Sequence, residues 1–476
     1  MDKLTEYVVE KLRVTPEYAK MYTKEGGSDL PKRRFYFSLE KKCRQFMSGD
    51  ESVRLVILSG LRGTGKTTAI LQLYRYLTEK KNVPQNNVFY VPCDEIVGMI
   101  GVKLSDILTA YFNTVHGKSP EMLDENVYIL IDEAHFDKTW QTTVKVLYDR
   151  SKRVFTVVTG SSSIAMEISP DLARRAEREV VFPLNFSEYM LLKHRFFPPK
   201  HTAKILREAI FKGKFDKLPE LNRKLLLQSS KLPTSLENEL VNFMIGGGFA
   251  FGVHMQRERV FEKVKDILDR IVRVDLPMVI NLRTESLQDI MRLLAFLAIQ
   301  KPGGISNIRL ASELRISSST VNEFLGALEK TLLIFKVLPL NGTKVTRKPW
   351  KYYYSTPTIV ATINWFTGTL RREDVIGNLI ETLVASYLHR AVTLNAPYSI
   401  NYDPAREGVD FVLRNVITGE IIPLEVTSSL KGSDVKKVRK AMSRFNSEFG
   451  IIVALKSELD IQDNICIMPL HLFAFL

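Results

Sequence analysis

The stretch that decides the fold is "VRLVILSGLRGTGKTTAILQLYRYL", residues 53–77. A strand rich in Val, Ile and Leu over Arg54–Ser59 runs into a glycine-rich loop, and an amphipathic helix follows. The loop fits the pattern G-x-x-x-x-G-K-[ST] in the strand–loop–helix setting that this pattern requires. Loops of this kind bind phosphates through backbone N–H groups and the positive end of the helix. The predicted nucleotide-binding residues are Gly60, Leu61, Arg62, Gly63, Thr64, Gly65, Lys66, Thr67 and Thr68.

A second stretch, "NVYILIDEAHF" over residues 126–136, supplies the acids that such a loop needs. Its apolar run predicts a buried parallel strand that ends at Asp132 and Glu133. We expect Lys66 to reach the β- and γ-phosphates and Thr67 to ligate Mg²⁺ together with Asp132. Glu133 is then the base that polarises the attacking water. The alternative is an ordinary surface acid pair after a strand.

Two further segments could complete a catalytic site. The strand "RVFTVVTGSSS" over residues 153–163 ends in a polar cluster, and Thr159 or Ser161 could sense the γ-phosphate there. Beyond it, Arg174 or Arg175 could deliver a guanidinium to the γ-phosphate on a neighbouring subunit. The alternatives are ordinary turn residues and a solvated basic helix.

The motifs GLRGTGKTT, LIDEAH, VVTGSSS, LARRA and FPLNFSEY follow one another in this order. On these motifs the chain resembles a group of archaeal and bacterial AAA+ P-loop ATPases with a winged-helix domain and a C-terminal PD-(D/E)xK nuclease-like domain. The resemblance runs from about Lys32 to the end, except for residues 191–239. It implies an AAA+ fold, ATP hydrolysis at subunit interfaces, and a ring or filament. The family's arginine falls on Arg175, and Arg174 stands where the family has glycine.

The middle of the chain holds two candidate nucleic-acid elements. Residues 191–239 are basic and predict an inserted helical element that faces nucleic acid or forms a solvated lid surface. Residues 284–356 predict three helices and a hairpin turning at Asn341-Gly342, which together make a winged helix. Cations interleaved with aromatics on the wing suit phosphate and single-strand contacts. These cations are Lys344, Arg347, Lys348 and Lys351. The alternative is a winged helix that serves only for packing.

The last segment predicts an αβββαβ order with three acids, Glu381, Asp410 and Glu425. This arrangement resembles the PD-(D/E)xK nuclease fold, in which the acids hold Mg²⁺ and a lysine two residues after the last acid assists cleavage. Thr427 occupies that lysine position, and Lys431 lies four residues further on. We therefore expect a degenerate nuclease site. The following basic helix could still bind DNA, or only support assembly. Its candidate DNA contacts are Lys436, Lys437, Arg439 and Lys440.

Composition indicates the class of protein and the kind of partner. The 476 residues carry a formal charge of +14, which favours a polyanionic partner. Three scattered cysteines and no apolar run of about 18 residues indicate a cytoplasmic protein without a membrane span. The expected fold class is α/β, in four segments. These are an AAA+ ATPase core (1–190), a helical lid with the basic insert (191–283), a winged helix (284–356) and a nuclease-like domain (357–476).

The sequence therefore predicts a homo-oligomeric AAA+ ATPase, arranged as a ring with shared ATP sites, that uses ATP and Mg²⁺ to remodel DNA or translocate on it. One alternative is a nucleotide-driven regulator or scaffold that acts on a protein partner. Another is an ATP-dependent nuclease that employs Lys431.

Overall fold

The computed structural model describes residues 2–160, 168–300, 306–340, 349–370, 373–394 and 397–476. They form two units, residues 1–182 and 183–476. Within the described part of the chain, no helix combines the length and apolarity needed to cross a membrane.

A parallel five-stranded sheet forms the centre of the first unit. After a two-stranded ribbon of β1 and β2, its strands are β3 to β7, in the spatial order β4-β5-β6-β3-β7. The bounds are β1 Lys24–Glu25, β2 Ser28–Asp29, β3 Leu55–Gly60, β4 Val88–Pro92, β5 Val127–Asp132, β6 Val154–Gly160 and β7 Glu177–Val181. Strand β6 lies between the strand of the glycine-rich loop and the strand of the acids.

Alternating residues of these strands face two apolar cores, because successive side chains of a strand point to opposite faces. Leu55 and Ile57 join one core, whereas Val56 and Leu58 join the other. Helices cover both faces, which explains why β3, β5 and β6 are apolar and buried along their whole length. The helices of the unit are Lys3–Thr23, Arg34–Met47, Lys66–Arg75, Cys93–Glu95, Leu104–Tyr111, Trp140–Arg150 and Pro170–Ala173.

A mixed eight-stranded sheet forms the centre of the second unit, in the order β14-β15-β13-β12-β11-β10-β8-β9. The bounds are β8 Ile334–Pro339, β9 Lys351–Tyr354, β10 Tyr398–Tyr402, β11 Phe411–Asn415, β12 Ile421–Ser429, β13 Gly450–Lys456, β14 Asp460–Gln462 and β15 Ile465–Pro469. The helices are Phe186–His194, Thr202–Lys212, Leu218–Ser229, Leu236–Asn242, Arg257–Arg270, Leu276–Val279, Thr284–Ile299, Asn307–Leu314, Ser318–Lys330, Pro357–Phe366, Glu373–Thr393, Gly432–Phe445 and Leu470–Phe473.

Three helices followed by two antiparallel strands, β8 and β9, occupy the segment predicted as a winged helix. Ser306 and Ser317 begin the second and third helices, and their hydroxyls accept the N–H groups of Arg309 and Thr320. The predicted hairpin turn lies outside the described residues. Strand β8 also pairs with β10 in parallel, so this segment shares one sheet with the last segment.

The last segment follows the order helix, three antiparallel strands, helix and parallel strand. Strands β10, β11 and β12 pair antiparallel in succession, and β12 pairs with β13 in parallel. The basic insert packs on this segment. Tyr398 donates a hydrogen bond to the carbonyl of Phe211 at 2.5 Å, and the rings of Phe215 and Phe449 meet edge to face. The insert is therefore anchored within the second unit.

Candidate functional site

The glycine-rich loop joins β3 to the helix Lys66–Arg75, at the carboxyl edge of the parallel sheet. Gly63 and Gly65 have φ angles of 78° and 84°, in the left-handed region that favours glycine. A side chain at Gly60 would approach the carbonyl oxygen of Val181 to 2.2 Å, so only glycine fits there. The loop needs its glycines because it combines left-handed turns with a close approach to the neighbouring strand.

Lys66 is the first residue of the helix, and its side chain folds back onto the loop. Its Nζ donates hydrogen bonds to the carbonyl oxygens of Gly60 at 2.9 Å and Leu61 at 3.1 Å. The Thr64 hydroxyl donates to the same Leu61 carbonyl at 2.8 Å. A second cation, Arg33, donates to the carbonyls of Thr64 and Phe182. The loop is thus braced from the helix that follows it and from a segment that precedes it in the sequence.

Asp132 is buried at the end of β5, beside the loop. It accepts hydrogen bonds from the Thr159 hydroxyl and from the Tyr90 hydroxyl, the latter at 3.0 Å. Burial, and then the charge of Glu133, raises the pKa of Asp132 to about 6, although hydrogen bonds from Thr159, Thr67 and Tyr90 lower it. The structure therefore brings Thr67 and Asp132 together, as the predicted metal site requires.

Glu133 follows Asp132 with a φ angle of 50°, in the left-handed region. Its N–H donates to the Thr159 hydroxyl at 3.1 Å. Its Oε2 lies 3.8 Å from Nη1 of Arg62 and 3.4 Å from Nδ1 of His135. That oxygen is buried and accepts no hydrogen bond from the described residues. Arg62 and His135 thus orient the Glu133 side chain, and its Oε2 can still accept a hydrogen bond.

Thr159 is in place as a sensor candidate, but its hydroxyl already bridges Asp132 and the N–H of Glu133. The other candidate, Ser161, lies outside the described residues. Arg174 and Arg175 follow the short helix Pro170–Ala173.

The two arginines differ in their environment. The side chain of Arg174 is 75% exposed and pairs with Asp171 at 2.7 Å. Arg175 is 27% exposed, and its guanidinium forks onto Asp149 at 2.8 and 3.2 Å. Arg175 is thus held in one orientation by a bidentate pair, and Arg174 is the more accessible cation.

The predicted DNA contacts divide into three groups. Lys344, Arg347 and Lys348 lie outside the described residues. Lys436, Arg439 and Lys440 are exposed on the helix Gly432–Phe445. Lys351 and Lys437 instead face the acid cluster of the second unit, which consists of Glu381, Asp410 and Glu425. Their side chains are 11% and 25% exposed. This placement corrects the prediction that these two lysines lie on the surface that contacts DNA.

Glu381 lies on the helix Glu373–Thr393 and is the first acid of this cluster in the sequence. The Tyr353 hydroxyl donates to its Oε1 at 2.6 Å, and Nζ of Lys351 approaches the same oxygen to 3.4 Å. Burial, and then the charge of Asp410, raises the pKa of Glu381 to about 7, and Lys351 and Tyr353 oppose that rise.

Asp410, the residue before β11, lies beside Glu425 on the neighbouring strand β12. Glu425 Oε2 accepts the N–H of Asp410 at 3.2 Å, and Asp410 Oδ2 accepts the N–H of Val426 at 2.9 Å. Nζ of Lys437 contacts Oε1 of Glu425 at 2.6 Å. Burial, and then the charge of Asp410, raises the pKa of Glu425 to about 8. The cation beside this acid is therefore Lys437.

Neither candidate considered in the sequence takes that place. The Thr427 hydroxyl donates to the carbonyl of Ser429 at 3.0 Å. The N–H of Lys431 donates to Asp434 at 2.9 Å, at the start of the helix that carries Lys437. Sequence reasoning also missed Tyr90, Arg33 and His135 at the phosphate loop. For His135 a signal exists, because it lies two residues after Glu133 in the same loop.

Comparison with known proteins agrees with the loop geometry. Residues 52–190 match the AAA domain family AAA_14, and residues 237–367 match a domain of unknown function, DUF8612. The uncharacterized protein MJ1637 of Methanocaldococcus jannaschii is 31% identical over 472 residues, which cover 98% of this chain and 93% of that protein. The chain therefore belongs to the family of MJ1637, and it contains an AAA domain over residues 52–190.

More distant similarities are weaker. An uncharacterized protein of Haemophilus influenzae is 24% identical over 305 residues, which cover 63% of this chain and 66% of that protein. The Aeropyrum pernix ORC1 protein, solved in complex with DNA, is 14% identical with a TM-score of 0.32, covering 73% of this chain and 96% of its own. AMPPCP-bound DnaA from Aquifex aeolicus is 15% identical with a TM-score of 0.27, covering 63% and 89%. The fold assignment rests on the AAA domain match and the strand order.

Proposed function

We propose that this member of the MJ1637 family is a homo-oligomeric AAA+ ATPase that uses ATP hydrolysis to remodel DNA or translocate on it. The observation that carries the proposal is the convergence of Lys66, Asp132 and Glu133 at one edge of the parallel sheet. Lys66 comes from the glycine-rich motif and the two acids come from a second motif, and the sheet order brings the two strand ends that carry them together.

The chain's own residues account for the hydrolysis step. The loop N–H groups and Lys66 hold the phosphates of ATP, and Thr67 and Asp132 would hold Mg²⁺, which neutralises charge on the phosphates. The hydroxyl and carboxylate of this pair are the oxygen ligands that Mg²⁺ prefers. Glu133 orients and polarises the attacking water. Its buried Oε2, which accepts no hydrogen bond from the described residues, supports this role.

Assembly would complete the site, because a second cation close to the γ-phosphate stabilises the charge of the transition state. Arg175, held by Asp149, and the exposed Arg174 are the candidates to reach a neighbouring subunit. A ring with shared ATP sites, acting in the cytoplasm, fits this arrangement.

Action on DNA is supported by charge. The chain carries a formal charge of +14, and the helix Gly432–Phe445 presents Lys436, Arg439 and Lys440 to solvent. Such cations bind phosphates without regard to base sequence. Residues 284–356 serve as a winged helix in this proposal. Residues 357–476 serve as a nuclease-like domain that grips DNA without cleaving it.

The test is ATP turnover with and without single-stranded, duplex and four-way-junction DNA. Lys66→Ala is the inactive variant, and Lys41→Ala, at an exposed position, is its matched control. The same reactions are run on a gel for cleavage. We expect stimulation by DNA without cleavage. ATP turnover that no DNA stimulates would contradict the proposal and favour a regulator that acts on a protein partner.

A further inference from the structure

The acid cluster of the second unit either holds a divalent cation or is neutralised by groups of the protein itself. In a nuclease of this fold the three acids hold a divalent cation. Here each acid already has partners from the protein. Glu381 is bonded to Tyr353 and approached by Lys351. Glu425 uses one oxygen for Lys437 and the other for the N–H of Asp410.

With both lysines in place, the donor set does not fit a metal ion. In the described part of the chain, no three His, Cys, Asp or Glu side chains converge closely enough to hold one. The Oε1 atoms of Glu381 and Glu425, which a cation would need, face ammonium groups at 3.4 Å and 2.6 Å. These two ammonium groups come from different elements, one from strand β9 and the other from the helix Gly432–Phe445.

We propose that Lys351 and Lys437 replace the divalent cation of the nuclease fold, so that a lysine–carboxylate network holds this domain together and the cluster neither binds metal nor cleaves DNA. Two monovalent ammonium groups supply the charge that one divalent ion would supply. They also donate directed hydrogen bonds, which buried carboxylates need.

The charge balance of the cluster agrees with this assignment. Three carboxylates face two ammonium groups, so one negative charge remains. One divalent ion among the same three carboxylates would leave the same net charge.

The local sequence explains how the lysines reach the cluster. Lys351 and Tyr353 are two residues apart on β9, so both side chains point to the same face of the sheet and both reach Glu381. Lys437 lies on the inner side of its helix, next to the buried Val438 and one turn before the buried Ala441. Thr427, at the usual lysine position, bonds to its own strand end instead.

The test converts the cluster into a metal site. Lys437→Met in the full chain leaves Asp410 and Glu425 without their ammonium partner, and a divalent cation should then bind between them. Thermal unfolding is followed without nucleotide, in EDTA, Mg²⁺ or Mn²⁺. We expect wild-type unfolding to be the same in all three. The variant should unfold about 5 °C lower in EDTA and regain roughly half of that loss with metal.

Two further variants keep the result interpretable. Lys437→Met combined with Glu425→Gln removes the ammonium group together with the carboxyl group that would ligate a metal, so it should fold without any response to metal. Lys436→Met changes the exposed neighbour on the same helix and should behave as the wild type. Because no nucleotide is present, failure of the ATPase proposal would leave these outcomes unchanged.

Two results would overturn the assignment. The first is that the wild-type protein binds Mn²⁺ in calorimetry, or cleaves DNA in the presence of Mg²⁺, and that the Asp410→Asn variant loses this binding or cleavage. Lys437 would then be the lysine of a working nuclease, displaced onto the helix. The second is a Lys437→Met variant that unfolds at the same temperature with EDTA and with metal.

Discussion

Tyr90→Phe removes one hydroxyl from the phosphate site and nothing else. The ring is buried, and its hydroxyl donates to Oδ2 of Asp132 at 3.0 Å. That bond stabilises the ionised carboxylate and holds down its pKa, which burial has raised to about 6. Without the bond, Asp132 should gain its proton at higher pH, and a protonated carboxyl group does not bind Mg²⁺.

The size of the effect follows from the free energy of that bond. A hydrogen bond to a charged group contributes about 1.5–3 kcal/mol, and one pKa unit corresponds to about 1.4 kcal/mol. The pKa of Asp132 should therefore rise by about one to two units. Asp132 would then be mostly protonated at pH 6.5 and mostly ionised at pH 8.5. We expect kcat/KM for Mg-ATP to fall about 10-fold at the lower pH and less than about 3-fold at the higher.

The assay is steady-state ATP turnover at subsaturating Mg²⁺ across this pH range. Tyr74→Phe is the matched control, because the Tyr74 hydroxyl is also buried but has no hydrogen-bond partner among the described residues. A loss for Tyr90→Phe that is equal at both pH values would refute the reasoning. So would an equal loss in the control, since packing rather than the Asp132 bond would then be responsible.

Three further predictions concern other parts of the molecule. Arg62→Met should lower kcat about 10-fold, because it releases Glu133, and should change the affinity for nucleotide less than about 3-fold. A loss of nucleotide affinity as large as the loss of kcat would indicate that Arg62 binds phosphate instead. Glu133→Gln and Arg175→Ala should each lose at least about 100-fold in ATP turnover, and mixing them should restore part of it through hybrid interfaces; no recovery would argue against shared sites. Native Glu425 has a pKa of about 8 against an ordinary 4.5, so it keeps a proton that the unfolded chain releases. Stability should therefore fall by roughly 2 kcal/mol from pH 6 to pH 8 in calorimetry, and Glu425→Gln should flatten that dependence.

The convergence of the glycine-rich loop with Asp132 and Glu133 could be predicted from the sequence, because each of the two motifs is local. The glycine-rich loop and the acids at positions 132 and 133 each occupy a few consecutive residues at the end of an apolar strand. The carboxyl ends of parallel strands meet at one edge of a sheet, so the motifs converge whatever the length of the segments between them. The prediction needed only that these strands be parallel.

Tyr90 and Arg33 could not be found in the same way. Tyr90 reaches Asp132 because β4 lies next to β5 with Pro92 opposite Asp132, and nothing in the stretch "NVFYVP" specifies that neighbour. Arg33 bonds to the loop across 31 residues. The pairing of β8 with β10 is also non-local, since it places Leu338 opposite Asn401. Contacts of this kind depend on strand order, which local patterns do not encode.

The role of Lys437 was missed for a different reason, because the sequence did contain a signal for it. The segment "DVKKVRKAMSRF" has the composition of a solvated basic surface. A helix, however, separates its residues by about 100° each. Val438 and Ala441 are the apolar positions that must face the sheet, and Lys437 precedes Ala441 by four residues, on the same side of the helix. Lys436, Arg439 and Lys440 fall outside this stripe, and they are the exposed cations. The same helix can therefore present three cations to a polyanion while a fourth neutralises the acids beneath it. Composition does not distinguish these residues, but the helical period places them on different sides of the helix.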